Sequence, residues 1–167
     1  DLLVIKLKDV YYNFTINLNY KVMEKYDLIE RYVTITNESD KSIVIEEIYS
    51  GQLHIPYENL TFRNTHGHWG AEQQMFKQNV SYGKITIENR KGVSGHNNNP
   101  YFILDKNATE TSGEVFYGAL RMSGNFKGVI EQTPYGETLV QMGINPYDFQ
   151  FTLNPKESFT TPPLLCG

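Results

Sequence analysis

Residues 13 to 22 fix the kind of fold this chain can adopt. Phe14, Ile16, Leu18, Tyr20 and Val22 alternate with Asn13, Thr15, Asn17, Asn19 and Lys21. A period of two sends the apolar set to one side of an extended backbone and the polar set to the other. The segment therefore reads as a strand with one buried face and one wet face. Shorter pieces repeat the theme. Leu2 to Leu7 is an earlier strand, and Leu28 to Thr36 is a β-branched run. The polar cluster from Asn37 to Lys41 breaks the pattern as a hairpin turn does. Ile43 to Tyr49 resumes it, with Gln52 to Ile55 continuing past Gly51. Further strands are expected over Ser81 to Asn89, Tyr101 to Leu104, Glu114 to Met122, Phe126 to Gln132, Glu137 to Met142 and Phe149 to Leu153. Thr133-Pro134-Tyr135-Gly136, with Pro second and Gly fourth, suits a type I turn. About ten short strands at roughly ten-residue spacing, with almost no helical periodicity, mark an all-β sandwich or barrel.

Three stretches do not follow the alternation. Tyr57 to Gln78 is the least regular, with at most a short helix at Ala71 to Lys77. Lys91 to Asn99 holds two glycines and three consecutive asparagines before Pro100, so an irregular loop is expected there. Thr161-Pro162-Pro163 reads as an exit from the domain.

A chain of 167 residues fits one domain with a sizeable core, and no internal boundary is evident. The formal charge of −4 comes without a basic cluster, which argues against nucleic acid and against an anionic membrane surface. No run of about 18 apolar residues is present to span a bilayer. Cys166 is the single cysteine, so no internal disulfide can form, and a reducing, cytoplasmic setting is expected. The chain opens at Asp1 inside an apparent strand and reads as a piece of a longer polypeptide. N-x-S/T triplets at Asn13, Asn37, Asn59, Asn79 and Asn107 are read as chance products of an Asn- and Thr-rich β protein rather than glycan sites.

The chemistry-bearing stretch is Asn64-Thr65-His66-Gly67-His68-Trp69-Gly70-Ala71-Glu72. It holds the only tryptophan, two of the four histidines and two glycines. A flat ring between glycines, beside hydrogen-bonding groups, suits a sugar-stacking platform. It equally suits an aromatic corner of a core. His66 and His68, with His96 or His54, are candidate zinc ligands, but cysteine ligands and an HExxH spacing are lacking. Asn97, Asn98, Asn99 and Asp105 are too poor in carboxylate for tight calcium binding. No metal and no cofactor are therefore expected. Glycoside hydrolysis needs two positioned carboxylates, and no pair stands out. Glu46, Glu47, Asp105 and Asp148 read as solvated faces or turns. No GxSxG is present, and Ser94 lacks its spacing. Self-contained catalysis is not expected.

Four ordered segments nevertheless resemble one known family. His66-Gly67-His68-Trp69-Gly70-Ala71-Glu72 is similar to the HGxWxxE segment of bacterial α-galactosidases of glycoside hydrolase family 36. Residues 88–102 are similar to ESRRGxSSHxxNPF, departing at Asn89, Lys91 and Gly95. Glu114-Val115-Phe116-Tyr117-Gly118 through Ser123-Gly124-Asn125-Phe126 is similar to GEVYGF…YSGNF. Residues 141–149 are similar to QMGINPxDF. The resemblance implies that residues 1–167 are one partial domain, the later portion of an N-terminal antiparallel β-supersandwich. The catalytic (β/α)8 barrel, with both carboxylates, would lie outside the chain. It implies α-galactoside sugars such as melibiose or raffinose as ligands, the enzyme's own barrel as a packing partner, and a homo-oligomer, commonly a tetramer. Of the family's pocket residues only the tryptophan carries over, as Trp69, with His66, His68 and Gly70 shaping the same wall. The loop from Arg90 to Asn99 would lie at that pocket or at the barrel interface. The alternatives are a free-standing carbohydrate-binding module or lectin using the same ring, and a purely structural piece in which Trp69 is buried.

Overall fold

The computed structural model describes residues 1–167. The alternating segment forms β2 (Phe14–Met23), flanked in the sheet by β1 (Leu2–Lys8) and β3 (Leu28–Asn37). A single 3-10 turn, Glu24–Tyr26, joins β2 to β3 and closes on Asp27 in the left-handed region at φ 53°. Ile16 lies opposite Ile35 and Leu18 opposite Val33, so the apolar faces of the two strands coincide. A slip of one residue would turn every one of them outward. The remaining strands in chain order are β4 (Ile43–Ile45), β5 (Tyr49–Ile55), β6 (Thr61–His68), β7 (Ala71–Asn79), β8 (Gly83–Glu88) and β9 (Tyr101–Asp105). They continue with β10 (Val115–Leu120), β11 (Phe126–Gln132), β12 (Thr138–Ile144), β13 (Phe151–Leu153), β14 (Ser158–Thr160) and β15 (Leu164–Cys166).

The large sheet runs β1-β2-β3-β15-β10-β9-β6-β7, with β14 also paired to β3. All its pairs are antiparallel. A smaller sheet, β11-β12-β5, packs on it, and β4 and β13 form a separate pair. β8 lies beside β11, where the Asn89 N–H donates to the Phe126 carbonyl at 3.0 Å. The core fills the space between the sheets. Phe62, Phe102, Leu104, Leu120 and Leu164 come from the large sheet; Ile55, Phe126, Ile130, Val140 and Met142 come from the small one. Each such side chain contributes roughly 1.5–3 kcal/mol on burial. Gly118 permits this packing, because a Cβ there would overlap the Phe102 ring. The architecture is the antiparallel all-β sandwich that the alternation implied. No helix is long and apolar enough to cross a membrane.

Two sequence expectations need correction. The stretch from Tyr57 to Gln78 is not irregular and holds no helix: it is the β6–β7 hairpin. The alternation failed there for a physical reason. β7 is an edge strand whose residues are mostly solvent-exposed, so Glu72, Gln73, Gln74, Lys77 and Gln78 are tolerated. β6 buries Asn64 and Thr65 beside Phe62, so polarity does not report its faces. The second correction concerns Thr161-Pro162-Pro163, which is not an exit. The prolines interrupt the ladder for lack of N–H groups. Thr161 spans the gap, its N–H donating to the Val33 carbonyl at 2.9 Å and its hydroxyl accepting from the Val33 N–H at 3.0 Å. β15 then takes a central place between β3 and β10. One of the five triplets is also settled by packing: the Asn37 amide is buried, donating to the Lys41 and Leu153 carbonyls, and is closed to a glycan.

If β15 is a keystone, Leu164→Ala should destabilise the chain by about 2–5 kcal/mol, as deletion of a fully buried leucine does. Urea denaturation followed by circular dichroism checks this, and an unchanged midpoint would return the segment to the role of a linker.

Candidate functional site

Trp69 and Gly70 are the two residues of the turn between β6 and β7. Gly70 sits at φ +81°, a turn position that favours glycine. Glu72 closes the turn, its carboxylate accepting from the Gly70 N–H at 2.9 Å. That bond, with its own N–H and the neighbouring His96, holds the Glu72 carboxyl below the usual carboxylate range. The Trp69 carbonyl lies 3.0 Å from the His68 ring nitrogen Nδ1. Its indole is 89 % exposed. The reading in which Trp69 is a buried core corner is therefore overturned.

Gly67 sharpens the hairpin below the tip. A Cβ there would meet the Ala71 carbonyl oxygen and lie 2.8 Å from Glu72 Cα. The ladder shifts register between His66 and His68, so the two imidazoles do not follow a simple i, i+2 face. His66 sets its ring edge-on to Phe76 at 6.0 Å. His54 belongs to β5 in the small sheet and bonds Gln52. The four histidines are not gathered, and no group of three His, Cys, Asp or Glu side chains converges on one point.

The asparagine-rich loop is tied to the hairpin. Asn99 donates to both the carbonyl and the hydroxyl of Thr65 at 2.9 Å, and the Tyr101 hydroxyl meets the same Thr65 hydroxyl at 2.9 Å. In return, the Asn64 amide donates to the carbonyls of Asn99 and Tyr101, extending the ladder past the start of β9. Asn98 donates to the Glu88 carbonyl at 3.0 Å, and the Lys91 ammonium donates to Asn97 Oδ1 at 2.7 Å. The structure thus puts His68, Trp69 and Gly70 at the tip and His66 just below it with its ring on Phe76, and fastens the loop from 91 to 99 to the hairpin. Thr65, Asn99 and Tyr101 were missed as its supports. In the sequence their only signal is the run of three asparagines, whose composition suits a loop as well as a clamp.

Below the tip a half-buried arginine pairs with a buried carboxylate. Arg63 holds Asp105 with two bonds, Nε to Oδ2 at 2.5 Å and an Nη to Oδ1 at 3.0 Å. Asp105 is only 1 % exposed and also accepts from the Ala108 N–H, so its expected place in a solvated turn was wrong. The Arg63 guanidinium, more than any other neighbour, holds the Asp105 carboxyl well below its ordinary range.

The residue pattern matches the family model described as the Glycosyl hydrolase family 36 N-terminal domain over residues 1–154. Alpha-galactosidase 2 of Hypocrea jecorina is 33 % identical over 161 residues, 96 % of this chain and 22 % of its own length. Alpha-galactosidase AgaA of Geobacillus stearothermophilus is 34 % identical over the same share of each chain. The chain thus spans about a fifth of the length of the curated relatives it matches. The crystal structure of AgaA superposes with a TM-score of 0.95 over 99 % of this chain and 23 % of its own. The α-galactosidase from Lactobacillus brevis gives the same TM-score at 29 % identity, covering 99 % of this chain and 22 % of that one. AgaA variants have been crystallised with stachyose and with raffinose.

Two outcomes follow from the geometry. Gly67→Ala should cost about 1–3 kcal/mol, because the added methyl meets backbone that cannot step aside; thermal melting compared with wild type measures it. The Asp105–Arg63 pair should make stability fall in acid. The folded carboxyl is depressed, so its contribution is fully present above the unfolded aspartate pKa of about 3.9 and is lost as pH falls through the lower folded value. Asp105→Asn should lose about 3–5 kcal/mol at neutral pH and flatten that acid limb. An unaltered limb in urea titrations at pH 2 to 5 would remove Asp105 as its source.

Proposed function

The chain belongs to the glycosyl hydrolase family 36 N-terminal domain family, and we propose that it serves as the non-catalytic wall of an α-galactoside pocket. The observation that carries this is the placement of Trp69: a wholly presented indole on a hairpin tip whose backbone is fixed on both sides. One face of galactose is apolar, with its ring C–H groups aligned, and it packs on such a ring while hydroxyls take polar neighbours. His68 and Gly70 share the tip, His66 lies just below it, and all three shape the wall.

In this reading the intact polypeptide hydrolyses terminal α-galactosides of the melibiose and raffinose type with retention. The two carboxylates sit on a (β/α)8 barrel that this domain packs against, and the intact protein assembles as a homo-oligomer, a tetramer. The relatives named as α-galactosidases support the activity, and the sugars crystallised with AgaA support the substrate class. The single cysteine supports a cytoplasmic setting. The same ring would serve a free-standing lectin, and activity separates the two readings.

In the full-length protein, Trp69→Ala should leave the fold intact and weaken galactoside binding by about 1–3 kcal/mol, seen as a raised KM or a lowered kcat/KM. Unchanged kinetics in a folded variant would make Trp69 a bystander. The 167-residue chain alone should not cleave a chromogenic α-galactoside, and turnover by it would overthrow the assignment of chemistry to the barrel.

A further inference from the structure

A cleft of about 370 Å³ opens beside the same hairpin, bordered by His66 and Gly67 but not by Trp69. Phe62, Asn64 and His66 share one face of β6 by their period of two, and Phe62 places that face toward the core. Across the ladder, Asn64 is opposite Phe76 and Phe62 is opposite Gln78. β7 overhangs at the edge of the large sheet, and the residues of β8 together with Asn97 and Asn98 close the far side. The volume falls at the lower end of small-ligand sites, large enough for a hexose ring.

The lining is what singles the cleft out. No Asp, Glu, Lys or Arg borders it. Its floor is apolar, with Phe76 standing edge-on to Phe62 at 6.3 Å. Its rim carries amides with unused capacity. Asn64 is 2 % exposed, yet only its nitrogen is engaged, with two backbone carbonyls. Asn98 likewise spends its nitrogen on Glu88 and keeps its oxygen, while Asn97 spends its oxygen on Lys91 and keeps its nitrogen. An ionic ligand would find no counter-charge here. A ligand with an apolar ring face and a girdle of hydroxyls, each both donor and acceptor, matches the whole lining.

We propose that this cleft is a further binding site for a neutral saccharide, seating one hexose over Phe76 with its hydroxyls on Asn64, Asn97 and Asn98. The inference rests on the α-galactoside reading only for the choice of probe. Galactose and sucrose are suitable probes, because neither is an α-galactoside that the proposed reaction would consume. Crystals of the full-length protein soaked with each sugar should show a pyranose ring against Phe76. In solution, calorimetry should resolve a binding event weakened roughly tenfold by Phe76→Ala and by Asn98→Leu, as loss of one ring contact or of one hydrogen-bonding group in an enclosed site does. Two variants at separate walls guard against one that fails to fold. Trp69→Ala is measured alongside, and a loss confined to that variant would overturn the cleft while sparing the Trp69 platform. Sugar in the cleft with no effect of Trp69→Ala would do the reverse. Another protein segment filling the cleft in the full-length structure, or an empty cleft with unaltered binding in both cleft variants, would also overturn the proposal.

Discussion

The constraint on which the tip depends is the burial of Asn64 and Thr65 on β6. Two polar side chains cannot be enclosed there unless their donors and acceptors are matched, at about 1–3 kcal/mol for each one left open. Most of the partners come from the segment that ends at Asn99 and Tyr101, and Gln73 of β7 adds one more to the Thr65 hydroxyl. Folding the hairpin and ordering the loop are therefore coupled. The three asparagines hold the loop in different ways: Asn99 bonds Thr65 of β6, Asn98 bonds the Glu88 carbonyl at the end of β8, and Asn97 accepts from Lys91 within the loop.

That rigidity has a use only because of what stands at the tip. An exposed indole gains nothing from burial and pays nothing for it, so its position reflects the backbone alone. Gly70 supplies the backbone angle, Gly67 the close approach of the two strands, and Glu72 the bond that closes the turn. Further down, the Arg63–Asp105 pair anchors the start of β6 to the end of β9, so the hairpin is fixed at its base as well as near its tip. What is preorganised is therefore the backbone that carries the ring; the exposed indole keeps its side-chain rotations until something packs on it.

How much of this was legible depended on whether a residue's surroundings were local. β2 was legible as a strand from its alternation, but its faces were not: Thr15 and Asn19 of the polar set are its buried residues, while Phe14, Ile16, Leu18 and Tyr20 are half-buried and Val22 is exposed. β7 was not, because an edge strand with solvent on most sides need not alternate. The Pro162-Pro163 pair looked like an ending because proline cannot continue a ladder. Nothing in the local sequence says that Thr161 bridges the gap to Val33, 128 positions earlier. For the same reason Asp105 looked like a turn carboxylate, although its partner Arg63 lies 42 residues away. Trp69 was found as a residue, from its glycine neighbours and the resemblance of its segment. Its exposure was not legible, since the same spacing suits a buried corner.

The hairpin tip and the cleft beside it differ in a way that bears on how such a domain could meet a sugar. Around the tip lie ionisable groups, Glu72 with His96 beside it, so a ligand there meets charge. The cleft has no carboxylate, ammonium or guanidinium, its one ionisable side chain is His66, and the rest of its polar lining is mostly amides. Neutral amide rims bind weakly for each bond, because every bond made to the sugar replaces one made to water. They discriminate by geometry more than by strength. Tip and cleft are joined through β6, so a shift of Asn64 in the cleft would be felt at Thr65 and so at the base of the tip. Through adjacent positions on one strand, the clamp that makes the platform rigid also sets the shape of the cleft.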